Sequence, residues 1–299
     1  MNEKKPDSHI FLAYLGLGLA VLFWSINTVI AKGVISQVKP MALSFFRWAA
    51  AFVFILPFAL KGIKKDIIPI RENLKFLLIL AIPSVAVYNS MLYLGAQYTT
   101  ATNISLVVAA MPAMTLGFAW MLEKQKPKAL QTLGIMISLL GVIVIISNGS
   151  FAMFAAFRFN PGDLLILVSI ASWALYSVLL KKKPIPISPI SFLFMTILLG
   201  TLCILPFYLW EYYHYKGFYI NSSIAWMFVY LGICPSILSY ICWNHGVKIV
   251  GSGTASVFMY LVPVFTSVIA YFFLDEHLFT YHFSGGVLIF CGLILSSRQ

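Results

Sequence analysis

Long apolar runs separated by short polar connections follow one another along the whole chain. Each run has about 20 residues, the length that an α-helix needs to cross the hydrocarbon core of a membrane. Ten runs can be read, at about residues 11–31, 40–60, 74–95, 97–122, 128–147, 162–181, 188–209, 224–245, 250–274 and 278–296. The pattern predicts an all-α polytopic membrane protein with ten transmembrane helices.

The second half of the chain repeats features of the first half. A shift of 151 residues places Gly95–Gly141 on Gly246–Gly292, and most identities fall on glycine and proline. At these residue types the backbone geometry selects the residue. Each copy ends in two glycines seven residues apart. A long internal repeat of this kind indicates two related structural units.

The opening helices of the two halves are related by a shift of 149 residues, which pairs Trp24 with Trp173. We therefore predict two five-helix repeats, residues 1–149 and 150–299, within one membrane domain. Because five is an odd number, the second repeat must cross the membrane in the opposite sense to the first. Inverted repeats of this kind are typical of secondary transporters.

The positions of the basic residues predict the orientation of the helices. With the N-terminus in the cytoplasm, fifteen of the 20 Lys and Arg residues fall in cytoplasmic connections and four in the opposite ones. Positive charge in short connections favours the cytoplasmic side, so we expect both termini to be cytoplasmic. The net charge of +11 then reflects topology, and we expect no nucleic-acid partner.

Composition excludes a soluble protein and offers no recognisable catalytic centre. The chain is 61% apolar and 10% charged, whereas a soluble surface needs about 25% charged residues. The four cysteines lie within apolar runs and predict buried thiols. There is no phosphate-binding Gly-rich loop and no His-Glu-x-x-His sequence. We expect no cofactor, no metal site and no enzymatic activity, with a membrane enzyme or an assembly scaffold as the remote alternative.

Polar and aromatic side chains recur at helical spacing on the predicted spans. Such side chains face the bundle interior, because exposure to hydrocarbon is costly, and an inverted repeat binds its substrate where the two halves meet. We predict that the substrate cavity is lined by Trp24, Asn27, Tyr88, Asn89, Tyr93, Asn103, Trp173, Tyr176, Tyr240, Trp243, Asn244 and Tyr260. The alternative interpretation is that some of them only join helices or lie at the membrane interface.

Arg47 is the only charged residue well inside a predicted span. It is either a counter-ion for a substrate carboxylate or a structural clamp onto backbone carbonyls. No Asp or Glu lies in the middle of a span, which argues against proton-coupled export of cationic drugs through a membrane carboxylate. His245, at the inner end of the eighth run, is a titratable candidate or a hydrogen-bonded boundary residue.

Several short motifs occur along the chain, namely Phe23–Asn27 with Lys32, Arg47, Gly162–Asp163, and Pro263 followed by Asp275–Glu276. Together they resemble the drug/metabolite transporter superfamily in its ten-helix EamA-type branch. The resemblance implies a central cavity lined by both halves, with export as the commoner direction. In the first half, Gln125 occupies the place of Glu276, with Glu123 two residues before it, so the two halves are not equivalent there.

These features together predict a secondary transporter of the inner (plasma) membrane. An aromatic and amide lining suits small polar metabolites, most of all amino acids or related compounds, moved by alternating access. A drug or toxic-compound exporter is the alternative within transport. The expected partners are the small-molecule substrate and the lipid bilayer, and the expected assembly is a monomer or a weak homodimer.

Overall fold

The computed structural model describes residues 6–123, 129–150 and 160–297, and all regular elements in these ranges are helical. The α-helices are α1 (Pro6–Val34), α2 (Pro40–Glu72), α3 (Leu74–Ala81), α4 (Tyr88–Ala96), α5 (Ala101–Val108), α6 (Met111–Glu123), α7 (Ala129–Ile146), α8 (Pro161–Lys182), α9 (Pro189–Tyr215), α10 (Ser222–Gly232), α11 (Ser239–Val257), α12 (Leu261–Leu274) and α13 (Thr280–Ser297).

Seven continuous helical stretches in the described ranges are long and apolar enough to cross a membrane. They are His9–Val34, Pro40–Glu72, Leu74–Ala96, Ala101–Leu122, Pro161–Leu180, Pro189–Tyr215 and Ser222–Gly251. Thr132–Ile145 and Phe258–Leu274 are shorter apolar helices. The chain is therefore a multi-pass membrane protein, as the apolar runs predict.

Several predicted runs differ from the observed helices. The fourth run begins at Ala101 rather than at residue 97, and Ala109 and Ala110 interrupt it. The ninth run is divided by the 3₁₀ turn Phe258–Tyr260. Each interruption comes just before a proline, Pro112 or Pro263, because proline lacks an N–H and clashes with the preceding turn.

Two π-helical segments occupy equivalent places in the two halves. Ile82–Val87 joins α3 to α4, and Ile233–Leu238 joins α10 to α11, so the shift of 151 residues superposes them. Both contain a Pro-Ser pair whose serine donates to a backbone carbonyl, Ser84 to Leu80 at 2.6 Å and Ser236 to Leu231 at 2.7 Å. A π turn enlarges the helical ring and frees backbone groups for other partners.

The repeated glycines are contact points between α7 and α13. A Cβ atom on Gly141 would lie 2.6 Å from the carbonyl oxygen of Gly285, and one on Gly292 would collide with the carbonyl of Gly134. Glycine permits such close approach of membrane helices. The glycine pairs that reveal the repeat in the sequence therefore pack against each other, one from each half.

Carboxylates join α2 and α9 at both ends. Glu211 accepts hydrogen bonds from the backbone N–H groups of Met41 at 3.0 Å and Ala42 at 2.7 Å, at the start of α2. Asp66 accepts one from the N–H of Ser188 at 2.8 Å, at the start of α9. Negative charge at a helix N-terminus satisfies its free N–H groups. Each helix thus places a carboxylate at the N-terminus of the other, where Glu211 caps α2 and Asp66 holds Ser188, the N-cap residue of α9.

Candidate functional site

Arg47 lies deep inside the bundle on α2, with 1% of its surface exposed. Its Nε donates to Ser236 Oγ at 2.6 Å, and its Nη2 donates to the carbonyl of Pro235 at 3.0 Å. The remaining partners are shared by Nη1, namely Asn27 Oδ1 at 3.2 Å, Asn89 Oδ1 at 2.5 Å and Tyr93 OH at 2.8 Å. The guanidinium therefore ties the second π-helical segment to α1 and α4.

The π-helical segment makes one of these partners available. The N–H of Ser239 bonds to the carbonyl of Cys234, whereas a regular α-helix would direct it to Pro235. The Pro235 carbonyl instead accepts the indole N–H of Trp24 at 3.0 Å as well as Nη2 of Arg47. Such pairing is needed because a buried guanidinium is costly without acceptors.

Two Tyr–Asn pairs flank the site and are related by the repeat. Tyr93 OH donates to Asn27 Oδ1 at 2.7 Å, and Tyr176 OH donates to Asn244 Oδ1 at 3.3 Å. The shifts of 149 and 151 residues place Asn27 on Tyr176 and Tyr93 on Asn244. The same hydrogen bond thus recurs in both halves with the two residue types exchanged.

The arginine itself has no equivalent in the second half. The shift of 149 residues places Arg47 on Thr196, which is also buried. The Thr196 hydroxyl donates within its own helix, to the carbonyls of Phe192 at 3.1 Å and Leu193 at 2.9 Å. The site is therefore symmetric in its Tyr–Asn pairs and asymmetric in its charge.

Seven buried aromatic rings form a cluster that reaches the guanidinium through Trp48. The ring of Trp173 lies 5.3 Å from Trp24, 5.1 Å from Tyr240, 5.0 Å from Tyr88 and 5.2 Å from Tyr176, between centroids. The Trp243 ring lies 5.3 Å from that of Trp24. Trp48 connects the rings to the charge, 5.4 Å from Tyr240 and 5.0 Å from the guanidinium carbon. We call these seven rings the aromatic cluster.

Several donors in this region have no partner among the described residues. They are the indole N–H groups of Trp48, Trp173 and Trp243 and the side-chain N–H₂ of Asn89. The Tyr240 hydroxyl is satisfied and donates to the Ser84 carbonyl at 2.7 Å. Buried polar groups are normally paired, so unpaired donors point to a ligand or to another conformation. The site is rich in donors, and Arg47 has only neutral partners in the described part of the chain.

The structure brings ten of the twelve predicted lining residues, and Arg47, into one network of contacts. Asn103 and Tyr260 join it through no described contact. Asn103 Oδ1 lies 2.9 Å from Nε2 of His282, and the Tyr260 ring packs on Phe290 at 5.3 Å. Asn103 lies in the first turn of α5, which begins later than the predicted run, and Tyr260 is part of the 3₁₀ turn.

Three participants lie outside the predicted lining residues, namely Trp48, Ser236 and the Pro235 carbonyl. Trp48 follows Arg47 directly, and its aromatic side chain was the one sequence feature that could have indicated its part in the site. The Pro235 carbonyl had only the signal of a proline within a span, which does not reveal a π turn.

Glu276 has a structural role at one end of the bundle. Its Oε1 accepts the backbone N–H of Ala101 at 2.8 Å, and its Oε2 accepts the backbone N–H and the hydroxyl of Thr102 at 2.9 and 2.8 Å. It therefore caps α5 across the interface between the halves. Gln125 and the side chain of Glu123 lie outside the described residues. His245 is exposed and outside the network.

The aromatic cluster is closed in this conformation. One cavity of about 760 Å³ lies between α1, α10 and α12, and one of about 530 Å³ lies between α2, α4 and α9. Neither is lined by any of the twelve predicted residues. In the described ranges, no group of three or more His, Cys, Asp or Glu side chains is placed to hold a metal ion.

The chain is similar to known membrane proteins over nearly its whole length. The profile of the EamA-like transporter family matches residues 11–147 and 160–298. An uncharacterized transporter of Bacillus subtilis (strain 168), YyaM, is 26% identical over 97% of this chain and 94% of that protein. An uncharacterized transporter of Archaeoglobus fulgidus is 26% identical over 100% and 99%. A solved crystal structure, 17% identical, covers 97% of this chain and 96% of its own with a TM-score of 0.67, which shows a shared fold.

Proposed function

Because the chain belongs to the EamA-like transporter family, we propose that it exports small polar metabolites, amino acids or related compounds, by alternating access. The observation that carries this proposal is the buried network around Arg47. It joins side chains of both halves through hydrogen bonds of 2.5–3.2 Å. In an inverted-repeat transporter the substrate site lies where the halves meet.

The proposed topology has ten transmembrane helices in two inverted five-helix repeats. The protein lies in the inner (plasma) membrane, and both termini are in the cytoplasm. Support comes from the charge distribution of the connections and from the equivalent π-helical segments. Two related halves of opposite orientation can exchange conformations, which gives outward-open and inward-open states of similar energy. We propose a monomer or a weak homodimer as the working unit.

A fusion experiment tests the topology. A reporter that fluoresces only in the cytoplasm, fused after Gln299, should be active, and the same reporter placed in the connection at residues 216–221 should be inactive. The reverse result at either site would contradict the inverted arrangement.

A flux experiment tests the site. Purified protein in liposomes should transport at least one compound from a labelled panel of amino acids, nucleosides, sugars and cationic drugs. Asn27→Ala and Tyr240→Ala should each reduce that flux roughly tenfold or more, because substrate-contacting groups are lost. Tyr213→Ala is the matched control, since Tyr213 is 84% exposed. Undiminished flux in both site variants would overturn the assignment.

Export of cationic drugs is the less favoured function. Binding of an organic cation within a membrane protein ordinarily uses a buried carboxylate. The carboxylates of Asp66, Glu211 and Glu276 are instead bonded to backbone N–H groups at helix N-termini. The buried Asp163 carboxylate has no partner among the described residues, but it lies in the first turn of α8 and has no described contact with the Arg47 network. If cationic drugs alone were transported in the flux assay, this preference would be reversed.

A further inference from the structure

We infer that the substrate binds through a carboxylate group, which displaces the neutral partners of Arg47 and so releases the hydrogen bonds between the two halves. This inference rests on the proposed transport function and adds to it a ligand chemistry and a trigger. Its basis is the set of partners around the guanidinium, together with the unpaired donors beside it.

A carboxylate can offer the guanidinium better hydrogen bonds than its present neutral partners do. Nη1 carries two N–H groups but serves three acceptors, on Asn27, Asn89 and Tyr93, so these bonds compete for hydrogens. Nη2 has two N–H groups and one acceptor, the Pro235 carbonyl. A carboxylate offers two charged oxygens that fit the planar guanidinium, and such charge-assisted bonds are about twice as strong as neutral ones.

The groups beside the guanidinium also favour an anion. The unpaired indole N–H of Trp48 and the amide N–H₂ of Asn89 are both donors, and both residues contact the guanidinium directly. Donors that are buried without partners bind acceptor atoms of a ligand and reject groups that can only donate. An acceptor-rich head group is therefore preferred over an ammonium.

An ammonium group has little to bind in the network. The Asp66, Glu211 and Glu276 carboxylates are bonded to backbone N–H groups, and the buried Asp163 carboxylate, at the start of α8, has no described contact with the network. Several ring faces of the aromatic cluster are also covered, because four ring pairs meet at 76–89°. The Trp173 and Tyr240 rings, for example, lie 5.1 Å apart at 86°, so edges cover faces.

Displacement of the neutral partners would act on a segment that can change. Ser236 and Pro235 belong to the second π-helical segment, and the other partners belong to α1 and α4. π turns are irregularities that often mark functional movement. A ligand shifts a conformational equilibrium only if it binds one state more tightly, and here the difference is the freed guanidinium.

A ligand panel with one variable group tests the chemistry. Thermal unfolding of the detergent-purified protein is followed with phenylacetate, phenylacetamide and phenethylamine, and with acetate, butyrate and octanoate as carboxylates of other sizes. We expect at least one carboxylate to raise the unfolding temperature by about 3 °C or more, and the amide and the amine to have no such effect. Stabilisation by the amine or the amide, or by none of the carboxylates, would overturn the inference.

An internal carboxylate provides a second test that needs no identified substrate. Asn89→Asp places a carboxylate of nearly the same shape against Nη1. We expect a higher unfolding temperature, loss of the carboxylate response and about tenfold lower flux, because Arg47 is then permanently occupied. Asn221→Asp is the control, since Asn221 caps α10 at an exposed position and aspartate caps equally well. An Asn89→Asp protein that unfolds and transports like the control would contradict the trigger.

The two failures can be told apart. Flux of any compound in liposomes supports the transport function whatever its head group. If flux is found, but carboxylates do not raise the unfolding temperature and Asn89→Asp behaves like the control, the transport function stands and the carboxylate inference fails. Arg47→Lys gives a further readout, because lysine keeps the charge without the planar fork. It should reduce discrimination between phenylacetate and phenylacetamide about tenfold while the protein still folds.

Discussion

Each half of the chain contains a hydrogen-bonded Tyr–Asn pair, but the surroundings of the two pairs differ. The pairs are Tyr93 with Asn27 in the first half and Tyr176 with Asn244 in the second. The first pair shares Arg47 through hydrogen bonds at 2.8 and 3.2 Å. At the place of the arginine the second half has Thr196, whose hydroxyl bonds only within its own helix among the described residues. The two halves therefore share the Tyr–Asn hydrogen bond, whereas, in the described part of the chain, only the first half has a charged residue beside it.

This difference matters for the alternating access that we propose. If both halves were equivalent, the exchange between conformations would be energetically neutral by symmetry. A guanidinium that holds the π-helical segment of one half against helices of the other biases the exchange. The glycine contacts between α7 and α13 behave differently, because both halves contribute equivalent residues. Variants can therefore separate asymmetric from symmetric contributions.

The largest expected effect comes from removing the asymmetry. Arg47→Thr copies the second half and removes one donor from each of five acceptors. Within the described ranges, only the Pro235 carbonyl and Asn27 Oδ1 keep a second donor, Trp24 and Tyr93 respectively. We expect the free energy of unfolding to fall by about 3–5 kcal/mol, measured by chemical unfolding in detergent. Thr196→Val is the matched control in the other half, and its cost should stay below about 1 kcal/mol. Equal losses in the two variants would show that the charge is not what distinguishes the halves.

The symmetric contacts should give equal effects. Gly141→Ala and Gly292→Ala each place a methyl group against a backbone carbonyl of the partner helix. Each should therefore reduce the free energy of unfolding by about 1–3 kcal/mol. Gly117→Ala provides the control, because no atom lies within 4 Å of the added Cβ. A clear difference between the first two variants, seen in the same unfolding assay, would argue against equivalent packing.

The two tyrosines should differ by a smaller amount. Tyr93→Phe removes a hydroxyl that donates at 2.7 Å and accepts from the charged guanidinium, at a cost of about 1.5–3 kcal/mol. Tyr176→Phe removes a single bond at 3.3 Å and should cost about 0.5–1.5 kcal/mol. Unfolding curves of the two variants, recorded side by side, check the order. The reverse order would mean that Arg47 does not strengthen the first pair.

The smallest charge effect concerns the cap of α5. Glu276→Gln removes the negative charge at the helix N-terminus and replaces one of the two acceptor oxygens by an N–H₂ group, so part of the hydrogen bonding to Ala101 and Thr102 is lost as well. The charge accounts for about 0.3–1 kcal/mol of the expected loss, and this part should shrink at high salt. Asp275→Asn serves as the control, because Asp275 adopts a left-handed conformation that asparagine also tolerates. A loss in the control as large as in Glu276→Gln would remove the charge argument.

The helical architecture was predictable because it depends on local properties. Apolar runs of spanning length identify the helices, and the repeated glycines and prolines mark the equivalent parts of the two halves. The prediction was less accurate at irregularities of the helices. Helix α5 begins at Ala101, later than the predicted run, and the 3₁₀ turn before α12 contains Tyr260. Asn103 and Tyr260, which lie at these irregularities, have no described contact with the Arg47 network.

The amino-acid sequence alone determines the repeat, the apolar spans, the charge bias of the connections and the stripes of aromatic and amide side chains. These follow from backbone preference and from the cost of polar groups in hydrocarbon, which act on each segment separately. The partners of Arg47 needed the folded structure. Ser236 is 189 residues away, and the Pro235 carbonyl is free only because a π turn redirects the N–H of Ser239. Contacts over such separations depend on how the helices pack.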